Sequence, residues 1–283
     1  MLKRCSLLFI VLNVLLLVTA QKSEAQTKKY IAMVPPFHSR LQIGSSESLL
    51  QLSHLRFVLF VYSNAVAVYS ESEFINQSDN FLEQEIALPS TGHDENGSEP
   101  GGRISNGILS IQLWVQDERV VPKFIQDGDE DWYTINTKFS PHEKRIVKAL
   151  FWAETSLADI DSSFGLDTTV ISNGKRGFLI DLAHASVWNN VIQSIDTYVV
   201  LKDGISTDQQ TFSATPSIYD LKDSTLVWSM KYIEPSFDDN IFVSYDSSKN
   251  VEVDQSTIVK LADYIVKEVY DQLLYFVSQL DEF

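Results

Sequence analysis

Residues Val66–Pro89 read VAVYSESEFINQSDNFLEQEIALP, two alternating apolar and polar runs around the polar break Asn76-Gln77-Ser78-Asp79-Asn80, with Pro89 ending the second. Period-two alternation puts successive side chains on opposite faces of a strand, so the stretch predicts an antiparallel hairpin with a longer loop. The same grammar continues to about Tyr245.

Upstream, SLLQLSHLRFVLFVYSNAVAV begins at Ser48. Its first leucines are spaced for a short helix as far as His54, but the β-branched and aromatic residues after Arg56 favour strand, with Asn64 as a turn. Before it, residues 26–47 are polar and irregular, and Pro35-Pro36 discourages helix and strand alike, so they read as a tail or edge segment. Downstream, Ser90–Gly107 is a turn-rich surface loop. Strands are then expected around Leu109–Val115, VVPKF, WYTINTKF and KRIVKALFWAE, which completes a first β-sandwich unit over 48–155. Residues 156–250 add the strands GFLIDLAHA, NVIQSIDTYVVLKDG, STLVWSMKYIE and NIFVSYD as a second β unit. From Asp254, Leu261, Ile265, Val269, Leu273, Phe276 and Leu280 recur at helical spacing, so 251–283 is an amphipathic helix, capped by Asp254 or Ser256 and docked on the sandwich. The expected fold is mainly β: two antiparallel β-sandwich-like units and a C-terminal amphipathic α-helix.

The first residues, MLKRCSLLFIVLNVLLLVTA, set Lys3 and Arg4 before an apolar run and small residues, the three parts of a signal peptide over 1–25, with Ala20 and Ala25 both acceptable cleavage points. An exported protein, periplasmic or extracellular, is expected. Cleavage after Ala20 leaves 263 residues and moves the net charge from −16 to −18. It also removes Cys5, the chain's one cysteine, which excludes disulfides, a thiol nucleophile and Cys-ligated metal in the mature protein. So acidic a surface repels phosphate backbones and anionic lipid, leaving nucleic acid and membrane surfaces as poor partners.

The runs AVAVYSESEFINQSDNFLEQEIALP, VVPKF and FSPHEKRIVKALFWAE resemble a family of exported bacterial proteins known only as a domain of unknown function. There, a Phe-x-Asn strand end, here Phe74 and Asn76, leads to a strand closed by Leu-Pro, here Leu88-Pro89, and a proline turn, here Pro141, precedes a closing strand. HASVWNNVI (His184–Ile192) and VWSMKYIEPSFDDNIFV (Val227–Val243) look like its later turn and hairpin. Ser70 and Ser72 stand where larger residues are expected, and the turn at His142-Glu143 lacks a glycine. A similar hairpin occurs in sandwich domains of the inter-alpha-trypsin type. The resemblance implies a β-rich exported protein and carries no catalytic residues.

Few residues suggest chemistry. The five histidines, His38, His54, His93, His142 and His184, form no ligand pair at short spacing, so a histidine metal site needs distant residues to converge. Asp181, His184 and Ser186 are the residue types of a nucleophile relay, but no Gly-x-Ser-x-Gly elbow exists and, on an extended strand, the three do not share a face. Asp127, Asp129 and Asp131 have the spacing that opens a calcium loop, although Lys138 occupies the position where a bidentate glutamate belongs. Asp94-Glu95-Asn96 and Asp238-Asp239-Asn240 offer further oxygen ligands, so calcium is the one cofactor worth testing. Glu83 and Glu85 share a strand face as its solvated side. Among the tryptophans, Trp114 lies on the polar face of its strand, opposite Leu113 and Val115, and with Trp188 is the candidate for stacking on a glycan, core packing being the alternative. The function expected is a non-enzymatic envelope or secreted protein binding a protein or glycan through loops or a sheet edge. A hydrolase of an envelope polymer and a structural assembly subunit are the alternatives.

Overall fold

The first run of the Val66–Pro89 stretch is strand β4 (Ala65–Asn76), and the second run is not its neighbour. Strand β4 pairs antiparallel with β3 (Leu50–Val61) and β10 (Lys144–Glu154), whereas the second run, β5 (Leu82–Pro89), pairs with β9 (Glu130–Phe139) in a different sheet. The predicted hairpin is therefore a crossover between sheets. Asn76, fully buried, holds it. Its Nδ2 donates to the carbonyls of Asn80 (2.7 Å) and Ser140 (2.9 Å), and its Oδ1 accepts from the N–H (2.9 Å) and hydroxyl (2.8 Å) of Ser78. Its main-chain N–H donates to the Glu143 carbonyl (3.0 Å), so the return crossing from β9 to β10 runs against the first. A five-residue break has the length for such a crossing, where a two-residue turn would have closed a hairpin.

The computed structural model describes residues 32–39, 49–63, 65–90, 108–127, 130–157, 175–202, 204–208, 211–246 and 255–280. The leader, its cleavage points and the loop at 91–107 lie outside them. Three sheets result. The largest has the order β15 (Asp220–Lys222), β16 (Thr225–Ile233), β13 (Ile192–Leu201), β3, β4, β10, β6 (Leu109–Val115) and β7 (Glu118–Val120). The second runs β2 (His38–Ser39), β5, β9 and β8 (Lys123–Asp127); the third runs β1 (Ala32–Val34), β12 (Arg176–Ile180), β17 (Ile241–Tyr245) and β14 (Phe212–Thr215), with β11 (Ser156–Leu157) beside β12. Pairing is antiparallel except for β13 on β3 and β1 on β12. Strands from 156–250 thus extend a sheet whose other five strands come from 48–155. Within 26–47, the edge strand β1 and then Pro35-Pro36-Phe37 carry the chain from the third sheet to the second.

Leu50–His54 is strand, with a bulge at Ser53. The core lies among the three sheets: Phe57, Phe74, Phe151 and Trp228 from the large sheet meet Ile86, Leu88 and Phe139 from the second and Phe178, Ile180 and Tyr245 from the third. Helix α1 (Gln255–Leu280) lies on the other face of the large sheet. Its Val269, Tyr270, Leu273 and Val277 bury against Val58, Phe60, Ala67, Tyr69, Leu150 and Val200, and the Tyr270 hydroxyl donates to the Ser110 carbonyl at 2.7 Å. Burying each of these apolar side chains contributes roughly 1.5–3 kcal/mol, which holds the helix on the sheet although it ends the chain's described part. Among the described residues no helix is long and apolar enough to cross a membrane.

Candidate functional site

Strand β12 ends at Ile180, and the expected continuation through LIDLAHA is instead a 3₁₀ helix, Leu182–Val187. The change decides the local chemistry, because residues three apart eclipse on a 3₁₀ helix where they diverge on a strand. Asp181 Oδ2 accordingly meets His184 Nδ1. The carboxylate is buried, 2% exposed, while the imidazole is 47% exposed. The segment is pinned at both ends to the chain around Pro35-Pro36. The Asp181 N–H donates to the Val34 carbonyl (3.2 Å), and the Trp188 indole Nε1 donates to the Phe37 carbonyl (2.8 Å). In the middle, the Ala183 N–H donates to Asn240 Oδ1 (2.9 Å).

These ties bring His38 over the dyad. Its ring centre lies 5.9 Å from that of His184 and 5.6 Å from that of Trp132, which is buried. Two histidines 146 positions apart in sequence thus converge. Burial first, and then the neighbouring His184, drive the His38 pKa down to about 4, so the ring is neutral. Its Nδ1 and Asp181 Oδ1 are buried with no hydrogen-bond partner.

A second surface lies on the outer face of the large sheet, one residue pair beyond the helix. Cross-strand register places Ser229, Asp196, Arg56, Glu71, Lys148, Trp114 and Arg119 in one row across seven strands, and cross-strand partners share a face. Opposite charges alternate along it. Arg56 lies 3.8 Å from Glu71, Ser229 donates to Asp196 (2.7 Å), and Lys148 turns to Asp117 (3.2 Å). In the next row, burial raises the pKa of Glu73, but the Ser53 hydroxyl (2.6 Å) and the Lys144 ammonium (3.1 Å) outweigh it and hold Glu73 below the ordinary carboxylate range. A carboxylate so held is an acceptor, not a proton donor at neutral pH.

The remaining candidates sort by position. Trp188 is 4% exposed and edge-on to Phe74 at 4.7 Å, a core residue with no face for a ligand. Trp132 and Trp228 are likewise buried, and Trp114 and Trp152 are partly buried beside the helix. Trp114 is on the polar face, as its alternation predicts. Asp129 and the side chain of Asp127 lie outside the described residues. Asp131 faces Gln126 across the β8–β9 hairpin, and its carbonyl accepts from the Ser90 N–H (2.7 Å). Asp239 caps Ser236, accepting from its N–H and hydroxyl at 2.8 Å each, and so serves the turn. Glu83 is solvated and lies 3.9 Å from Lys138 across the strand pair.

No protein-family model matches the chain, and no curated protein matches it. Among solved structures it is similar to a Legionella pneumophila protein provisionally described as nutrient binding, at TM-score 0.54 and 13% identity over 75% of this chain and 70% of that one. An M1 zinc metallopeptidase of Deinococcus radiodurans aligns at TM-score 0.39 and 10% identity over 73% of this chain, and yeast LTA4 hydrolase at 0.41 and 9% over 80%. The chain spans 44% and 32% of the length of those two enzymes. At such identities the first likeness concerns the fold alone.

Proposed function

We propose that the chain is an exported binding protein that holds a glycan on the outer face of its large sheet, around Trp114 beside the β6–β7 edge. The observation that supports this is the row Asp196, Arg56, Glu71, Lys148, Trp114 and Arg119: a flat set of hydrogen-bonding groups with little net charge and one aromatic ring. A sugar presents apolar C–H faces for a ring and hydroxyls for flanking charges, and a strand row spaces such groups about 4.7–4.9 Å apart, comparable to the width of a pyranose. The fold shared with the Legionella protein described as nutrient binding is compatible with this reading. The N-terminal leader supports export.

The test is affinity electrophoresis and titration of Trp fluorescence against a panel of soluble polysaccharides, comparing the protein with Trp114→Ala and Trp114→Phe. Binding should be lost in Trp114→Ala and partly kept in Trp114→Phe. Retention of full affinity by Trp114→Ala, or binding of no polysaccharide by the unaltered protein, sinks the reading.

A further inference from the structure

The second sheet ends at β8, and among the described residues no strand lies beyond it. It is also the longest of the strands that end a sheet, five residues against two to four for the others. Which of its main-chain groups point outward follows from its neighbour. In antiparallel pairing a residue's N–H and C=O point to one side, and successive residues alternate between the two sides. The Asp131 carbonyl accepts from the Ser90 N–H, on the β5 side of β9, and Trp132 stands opposite Pro89, which has no N–H to exchange. Asp131 and Tyr133 therefore bond toward β5, and Trp132 toward β8. Ile125, opposite Trp132, spends its N–H and C=O on β9, so Phe124 and Gln126 present theirs at the open edge.

We propose that β8 pairs antiparallel with β8 of a second copy of this chain, about a two-fold axis at Ile125, and so joins the two four-stranded sheets into one. The segment Lys123-Phe124-Ile125-Gln126-Asp127 is complementary to itself in that register. Phe124 of each copy faces Gln126 of the other, and each such pair exchanges both of its N–H···O bonds through the groups that point outward. Ile125 faces itself as a non-hydrogen-bonded pair, where side chains stand closest. Lys123 of each copy falls opposite Asp127 of the other, and opposed charges of unlike sign stabilise a strand pair where like charges destabilise it. The Phe124 ring, 48% exposed and 5.3 Å from that of Tyr133, gains cover from the Gln126 stem of the second copy. Other registers fit less well. Centring on Phe124 sets Gln126 against Pro122, which has no N–H, and centring on either neighbour of Ile125 parts Lys123 from Asp127.

The test is sedimentation velocity of the protein over a concentration series, in about 0.15 M salt so that repulsion between two chains of formal charge −16 is screened beyond roughly 8 Å. A reversible monomer–dimer equilibrium is expected. Gln126→Pro removes one bond from each Phe124–Gln126 pair and none from β9, so it should raise the dimer dissociation constant about 10–100-fold, while Gln126→Ala leaves it near the parent value. Two charge reversals test the register without depending on proline. Lys123→Asp and Asp127→Lys should each weaken the dimer when alone, and an equimolar mixture of the two should dimerise again, because every opposed pair is then unlike in charge. A monomer at every concentration overturns the proposal and leaves the edge to solvent or to another protein's strand. A dimer indifferent to Gln126→Pro, or a mixture no more dimeric than its separate components, overturns it equally. Glycan binding by Trp114, on the other sheet, stands or falls separately.

Discussion

Trp188 gives the sharpest test of how the three sheets are joined. Its indole is 4% exposed, packs edge-on against Phe74 of the large sheet, and donates to the carbonyl of Phe37, a residue with no exposed surface between the third and second sheets. Trp188→Phe keeps an aromatic ring but removes the donor. Removing the donor strands the buried Phe37 carbonyl, which costs about 1–3 kcal/mol, so a loss in that range is expected. Trp188→Ala adds a cavity in a close-packed core, and truncations of this kind cost about 3–5 kcal/mol. With a total stability of roughly 5–15 kcal/mol, the alanine variant should sit near its unfolding threshold.

Urea unfolding followed by far-ultraviolet circular dichroism reads these differences without relying on the removed fluorophore, and an unchanged slope confirms that the midpoint reports stability. Trp114→Phe, on a partly buried ring outside the three-sheet core, is the control and should lose less than about 1 kcal/mol. A Trp188→Phe variant within about 0.5 kcal/mol of the parent would refute the coupling through Phe37, as would equal losses for Phe and Ala at this position.

Ser70 and Ser72 have no exposed surface and their hydroxyls have no partner, so Ser70→Ala should raise the urea midpoint, by up to about 1 kcal/mol in stability. Asn76→Ala removes four side-chain hydrogen bonds, three within the 76–80 break and one, to Ser140, that joins it to the return crossing, and a loss of about 2–4 kcal/mol should appear in the same assay. The Tyr270 phenol has its pKa raised by burial under the helix. Above about pH 10 the unfolded chain ionises this group while the docked helix resists, so the stability it contributes is intact below that pH and falls as pH rises; Tyr270→Phe should flatten the decline in urea midpoint between about pH 9 and 11.

Strand existence was legible along most of this chain because one-sided burial writes itself as alternation, and Trp114 was placed on the polar face of β6 by that signal alone. Pairing was not, because alternation is silent about which strand lies alongside. The Asn76–Asn80 break carries turn residues whether it closes a hairpin or crosses between sheets, and what decides is whether Asn76 has a remote carbonyl to bind, here Ser140, which no local window contains. The Asp181–His184 contact was hidden for a related reason. Asp181 and His184 read as divergent only under the assumption of a continuing strand, and LIDLAHA has the apolar density of one; the 3₁₀ helix is imposed from outside, by Val34, Phe37 and Asn240 claiming its polar groups. The anchors on Val34 and Phe37 depend on Pro35-Pro36 carrying the chain from the third sheet to the second, with His38 directly after Phe37. The proline pair that reads as a break in regular structure is thus what delivers His38 to its partner, and substituting it should disturb the His38–His184 geometry before it disturbs the sheets.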